Sequence, residues 1–275
     1  MGRALQAAAA SLFSVVFPSD CRICRSALTH VSNLPVCGDC RGRMVALEGI
    51  LCSRCGEKLP GRRFAGDADP LCDLCRRAAP RFRRAVAYGA YDGALRDLLH
   101  VFKYQGVRSA APLLGRLLGQ AVVGAGIKGP LVVIPVPLAG GKRRTRGFNQ
   151  AEEIARAFTA EAAALGLAGG IQLQSGWLVR KRETISQTGL TRPQRQANLR
   201  GAFAVTGQEK LKGKTVLLVD DVMTTGATAG ECARIIMKAG AKEVFVATVA
   251  RATREAENVL VRAAAGFSGG TTGHA

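Results

Sequence analysis

Two regimes of apolar patterning divide this chain. In its C-terminal two thirds, short apolar, β-branched runs alternate with stretches of helical period. LVVIPVP (131–137), TVLLV leading into an acid pair (215–221) and EVFVATVA (243–250) each have the length and composition of buried parallel strands. Between the first two, Ala151, Ile154, Ala155, Phe158, Ala162 and Leu165 fall on one helical face. GATAGECARIIMKAGA does the same after the second run, and its Cys232, with Ile235, Ile236 and Ala239, reads as a buried core thiol. Strand–helix–strand repetition predicts an α/β fold, a doubly wound and mainly parallel sheet.

The N-terminal third lacks such a rhythm. An apolar run (4–17) with Leu5, Ala9, Leu12, Phe13 and Val16 at helical spacing is too short to span a bilayer. It reads as a docking helix over 1–18 of a cytoplasmic protein, with no membrane span and no small-x-small cleavage signal. Cysteine pairs begin at once. Eight of the nine cysteines form CxxC pairs: Cys21/Cys24, Cys37/Cys40, Cys52/Cys55 and Cys72/Cys75. Thiolates at i and i+3 on a tight turn face one metal ion, so two knuckles complete a four-sulfur zinc site. Two structural zinc ions follow. Sequential pairing is the simplest arrangement, and spacing alone also permits an interleaved cross-brace. The expected layout is a double zinc ribbon over 19–84, an α/β domain over 85–264 and a disordered tail, Gly/Thr-rich in FSGGTTGHA, over 265–275.

Charge narrows the choice of partner. Thirty-nine Lys+Arg against 20 Asp+Glu give +19, which calls for a polyanion, either nucleic acid or a phosphorylated small molecule. Aromatics, at 5%, are too few for a stacking platform along a strand of nucleic acid to dominate. Two basic clusters stand out. Lys142, Arg143, Arg144 and Arg146 follow a strand end and a Gly-Gly pair, where they can hold a pyrophosphate. Arg180, Lys181, Arg182, Arg192, Arg195 and Arg200 form the second. Lys103, between Phe102 and Tyr104, either reaches a phosphate or caps the sheet.

The densest signal is VLLVDDVMTTGAT (216–228). Asp220 and Asp221 fall at the carboxyl end of a central strand, where open α/β sheets bind ligands. Thr224, Thr225, Gly226, Ala227 and Thr228 turn into a helix N-terminus, whose N–H groups and dipole favour a phosphate. A phosphate seat beside two acids suits a phosphorylated sugar: the monoester sits in the loop and the carboxylates accept from ribose hydroxyls. Mg²⁺ on an attached pyrophosphate would ease the acids' nearness to more negative charge.

This stretch resembles the 5-phosphoribosyl pyrophosphate (PRPP) motif of the type I phosphoribosyltransferases. Together with the four CxxC pairs, FKYQG (102–106), PVPLAGGKRRTRGFNQ (135–150) and RKRETISQTGLTRPQRQANLRGAF (180–203), the chain is similar to the ComF/GntX family over nearly its whole length. The resemblance implies a type I phosphoribosyltransferase-like domain behind a double zinc ribbon, and a role linked to natural competence. It also implies PRPP with Mg²⁺ at Asp220, Asp221, the 224–228 loop and Lys142, Arg143 and Arg146, the two acids being the catalytic pair. Thr184, Gln187, Arg195 and Asn198 would belong to a mobile loop over the site, and Arg180 and Arg182 are grouped with it. Two functions follow: a DNA uptake or processing factor that binds single-stranded DNA and works beside other uptake proteins, or a metabolic phosphoribosyltransferase acting on a base or amine.

Overall fold

A computed structural model describes residues 20–28, 33–64, 66–167, 169–184 and 191–252. The docking helix expected over 1–18 and the tail over 265–275 lie outside the described residues. At the centre is a five-stranded sheet, all parallel, ordered β1 (Arg84–Ala90), β7 (Glu243–Arg251), β6 (Thr215–Met223), β2 (Leu131–Pro135), β3 (Ile171–Leu173). Both faces of the middle strands are apolar, because both are covered. Val216, Leu217, Leu218 and Val219 are all fully buried. Side chains alternate between faces along a strand, so Leu217 and Val219 join one core cluster while Val216 and Leu218 join another.

The cysteine segments carry the short helices α1 (Gly38–Gly42), α2 (Gly61–Phe64) and α3 (Asp73–Arg77). The first core cluster takes up α4 (Gly93–Tyr104), α5 (Ala111–Gly124) and α7 (Gln150–Glu161). Helices α5 and α7 approach so closely that a Cβ on Gly115 would stand 2.7 Å from the Ala157 Cβ. The second cluster takes up α9 (Ala227–Lys238). Helices on both faces make the sheet doubly wound, as the alternating pattern predicts.

The cysteine segments divide the same way. Cys21, Val36, Cys40 and Met44 pack into the first cluster, and Cys52, Cys55, Cys72, Cys75 and Phe64 into the second. Each ribbon therefore docks on its own face of the sheet. The first is stitched to β1 by Leu47 N–H donating to the Tyr88 carbonyl at 2.6 Å and Tyr88 OH donating to the Met44 carbonyl at 2.9 Å. The second is joined by Ala85 N–H to the Arg54 carbonyl at 2.8 Å. Gly56 turns there at φ +69°, and a Cβ would lie 2.9 Å from the Ala85 carbonyl oxygen, so glycine is required by both conformation and space.

Strand ends differ from the sequence expectation. β2 stops at Pro135, whereas β6 continues past both acids to Met223. The cause is unequal pairing: β6 pairs with β2 only as far as Val219↔Pro135 but with β7 as far as Met223↔Arg251. A short hairpin of β4 (Leu178–Arg180) and β5 (Phe203–Val205) brackets α8 (Arg192–Leu199).

Candidate functional site

The early end of β2 opens a notch beside β6, bordered by Asp220 and Asp221. The helices following these two strands lie on opposite faces, so the notch is the topological switch point of the sheet. A cleft of about 320 Å³ occupies it, lined by Asp220, Asp221, Lys103, Arg146, Asn149 and Thr228 among others. β6 gives way to the 224–228 loop through Gly226, which takes φ +75° as the N-cap of α9. A Cβ there would meet the Met223 methyl at 2.7 Å. Thr225 Oγ1 accepts from the Ala227 N–H at 3.3 Å, pinning the first turn of the helix. The loop thus presents its amides and hydroxyls at a positive helix end.

The two acids are unequal. Asp220 Oδ1 accepts from the Asp221 N–H at 2.9 Å, and burial, followed by the Asp221 charge, pushes its carboxyl up to about 7. Asp221 Oδ2 instead meets Lys103 Nζ at 2.9 Å, in a pair whose side chains are only 14% and 13% exposed. Burial opposes the Lys103 ammonium, but attraction and hydrogen bonding to Asp221 outweigh it and raise its pKa. Neither sequence reading of Lys103 named this partner.

The basic cluster of 142–146 lies on a short helix, α6 (Gly140–Arg146). Arg146 turns into the cleft, its guanidinium 4.9 Å from the Tyr104 ring and donating to Gln150 Oε1 at 3.1 Å. Arg143 and Arg144 are exposed and do not line the cleft, and of Lys142 only the backbone position in α6 is described. Asn149 holds the β2 end and the start of α7 together, donating to the Val136 carbonyl and accepting from the Ala151 N–H, both at 3.1 Å.

Of the residues grouped as a mobile loop, Arg180, Arg195 and Asn198 lie on regular elements, while Arg182 and Thr184 lie in the connection that follows β4. Arg180 ends β4, stacks 5.3 Å from the Phe203 ring and bonds to Thr184 Oγ1. Arg182 donates to the carbonyls of Asn198 and Arg200, closing the end of α8. Arg195 is buried on α8 and donates to Thr224 Oγ1 at 3.2 Å, so it braces the phosphate loop. Gln187 lies outside the described residues.

The eight paired cysteines gather sequentially, not as a cross-brace: Cys21, Cys24, Cys37 and Cys40 in one cluster, and Cys52, Cys55, Cys72 and Cys75 in the other. Within each cluster the sulfurs lie within 4.8 Å of one another. Separations of 3.8 Å for Cys21–Cys40, 3.6 Å for Cys24–Cys37 and 3.7 Å for Cys55–Cys72 match the edge of a tetrahedron, about 3.8 Å, built on Zn–S bonds of about 2.3 Å. They are far beyond disulfide length. Backbone N–H groups of Cys37, Cys40, Cys72 and Cys75 point at cluster sulfurs at 3.3–3.4 Å, the arrangement that favours thiolates. The residues fit two zinc ions with every coordination position filled by sulfur, hence structural. Cys232 is fully buried, and burial pushes its thiol up, as expected of an inert core residue.

Three participants escaped the sequence reading. Arg251 and Glu57 form a buried pair at 2.6 Å between β7 and the second ribbon, and Arg251 also donates to the Thr224 carbonyl at 2.8 Å. Its one signal was a charge closing the apolar run EVFVATVAR. Gln150, 1% exposed, is the third, with the polar Asn149-Gln150 step after Phe148 as its signal.

Comparison with known proteins matches these two parts separately. Residues 143–267 match the phosphoribosyl transferase domain, and residues 12–76 match the double zinc ribbon domain. The chain is 30% identical over 237 residues to Competence protein F of Haemophilus influenzae, covering 78% of this chain and 96% of that one. It is 33% identical over 233 residues to the DNA utilization protein YhgH of Salmonella typhi, covering 83% and 95%. Competence protein ComFC of Bacillus subtilis is 23% identical over 208 residues, covering 74% and 79%. With a phosphoribosyltransferase-like sheet, two four-cysteine clusters and similarity to these relatives over 74–83% of its length, the chain belongs to the ComF family.

Proposed function

We propose that this chain is a ComF-type phosphoribosyltransferase-like protein that binds PRPP with Mg²⁺ in the β2–β6 cleft and binds single-stranded DNA. It would act in the cytoplasm beside other DNA uptake and processing proteins in natural transformation. The observation that carries the ligand is the union, in one cleft, of the acid pair, Thr224 and Thr228 of the loop at the start of α9, and the inward Arg146. The 5-phosphate takes the loop. Asp220 and Asp221 accept from the ribose hydroxyls, and Arg146, with Lys142 and Arg143 on the same helix, faces the pyrophosphate. Mg²⁺, held beside Asp220 and Asp221, would supply positive charge to offset the pyrophosphate. The high pKa of Asp220 fits this, since such a carboxyl ionises when a cation arrives. An oxocarbenium-like transfer needs position and electrostatics more than a dedicated base, so the scarcity of histidine, three in the chain, is no obstacle.

The DNA reading is supported by the net +19, by the exposed Arg143, Arg144 and Arg200, and by relatives named for competence and DNA utilization. Among the described residues, no helix is long and apolar enough to cross a membrane. A second reading, transfer of the phosphoribosyl group to a base or amine, is favoured by a separate cleft of about 490 Å³ between the phosphate loop and the second ribbon. Titration calorimetry with PRPP and Mg²⁺ tests the ligand: binding is expected, and Asp221→Asn combined with Thr225→Ala should abolish it. Unchanged binding in that variant overturns the site. Pyrophosphate release measured with DNA and with candidate bases separates the two functions.

A further inference from the structure

Arg251 ends β7 at 5% exposure, and its guanidinium joins two parts of the molecule distant in sequence. Nη2 donates to Glu57 Oε2 at 2.6 Å and lies 3.9 Å from Cys55 Sγ; Nη1 donates to the Thr224 carbonyl at 2.8 Å. Glu57 is itself 7% exposed and belongs to the knuckle that presents Cys52 and Cys55, since its carbonyl accepts from the Cys52 N–H at 2.7 Å. Thr224 opens the phosphate loop. The planar fork of an arginine satisfies both partners at once; an ammonium on a flexible stem cannot hold both in one geometry. A buried ion pair of this kind also resists loss of either member, because the remaining charge would be stranded away from water.

We propose that Arg251 is a positioning residue that ties the metal of the second cysteine cluster to the shape of the phosphate loop, so that filling either site strengthens the other. Metal binding fixes the 52–57 turn, the turn fixes Glu57, and Glu57 holds Arg251 against the Thr224 carbonyl. Coupling between two binding sites is reciprocal, so an anion seated in the loop must equally retain the metal. Among the described residues the first cluster makes no such link: its buried sulfurs pack on the opposite face of the sheet, and its arginine contact is the local Arg43–Cys40 at 3.0 Å. Only the ligand arm of the test rests on the PRPP reading.

The decisive measurement is amide hydrogen exchange of the 223–228 loop in the full zinc-loaded chain. Exchange should quicken about fivefold or more in Arg251→Met, Arg251→Lys and Cys75→Ser, and stay at the wild-type rate in Cys24→Ser. The arginine variants keep all eight paired cysteines and so carry the test if Cys75→Ser fails to fold. A wild-type loop in Arg251→Lys would show that charge alone suffices and would overturn the bridging role. Unchanged exchange in Arg251→Met would overturn the coupling. In the second arm, inorganic phosphate, and separately PRPP with Mg²⁺, should slow transfer of one of two zinc ions to a chelator by about fivefold in the wild type and not in Arg251→Met. Equal slowing in both proteins refutes the proposal. Absence of PRPP binding in calorimetry would instead count against the ligand, leaving the exchange comparison to decide the coupling.

Discussion

Replacing Asp220 with asparagine isolates the charge that burial and Asp221 oppose, because the amide keeps the size of the acid and its acceptor oxygen for the Asp221 N–H. In the folded chain the carboxyl titrates at about 7, against 3.8 when unperturbed. That separation of about three pH units, at about 1.36 kcal/mol each, amounts to about 4 kcal/mol. The direction is fixed by linkage. A group with a raised folded pKa contributes fully below its unfolded value, so the wild-type contribution is intact below about pH 3.8 and is lost as pH rises through about 7. The substituted amide cannot ionise. The stability of Asp220→Asn minus that of wild type should therefore climb by about 4 kcal/mol between pH 4 and pH 8, with most of the rise complete by pH 7. Urea unfolding at matched zinc in steps across that range reads it. Taking the difference at each pH removes the protonation of cysteine ligands, which both proteins share. A difference that stays constant from pH 4 to pH 8 would show that Asp220 titrates normally, and the unequal division of the acid pair would be wrong.

The remaining expectations concern the partner acid, the ligand, the metals and the nucleic acid. Asp221→Asn strands the Lys103 ammonium, so it should destabilise by about 3 kcal/mol across neutral pH, and Lys103→Met combined with Asp221→Asn should recover most of this; a neutral single variant refutes the pairing. PRPP affinity in the presence of Mg²⁺ should rise as pH passes from 6 to 8, and Asp220→Asn should flatten that rise when calorimetry is repeated. Elemental analysis should return about two zinc ions per chain, and a value of one would contradict the double ribbon. Affinity for single-stranded DNA should fall steeply between about 50 and 200 mM salt, through release of counterions, and a salt-insensitive complex would remove the charge argument.

Long apolar runs carried the central strands into view, because β2, β6 and β7 are buried on both faces and need no alternation to reveal them. The metal ligands were equally legible, since four cysteines on two tight turns have few other uses. What stayed hidden was decided by partners remote in sequence. RAVAYGA reads as a strand only once β7 supplies its ladder, and the glycine within it, Gly89, sits where a Cβ would come 2.6 Å from the Val45 carbonyl oxygen. β3, β4 and β5 have three residues each, too few for a period to register. Sequence adjacency also made Asp220 and Asp221 look equivalent. Neighbours on a strand point to opposite sides, and only the fold brings Lys103 from α4 to one of them and leaves the other to burial. The same holds for the basic residues: most of those named from the sequence occur in runs, yet a run does not say which arginine turns inward. Arg146 does so because Tyr104 and Gln150 receive it, and Arg195 because Thr224 does. Arg251 belonged to no run at all. A single charge closing an apolar strand is costly to bury unless something answers it, and the answer, Glu57, lies 194 residues away in the ribbon. That isolated charge marked a join between the metal module and the phosphate loop.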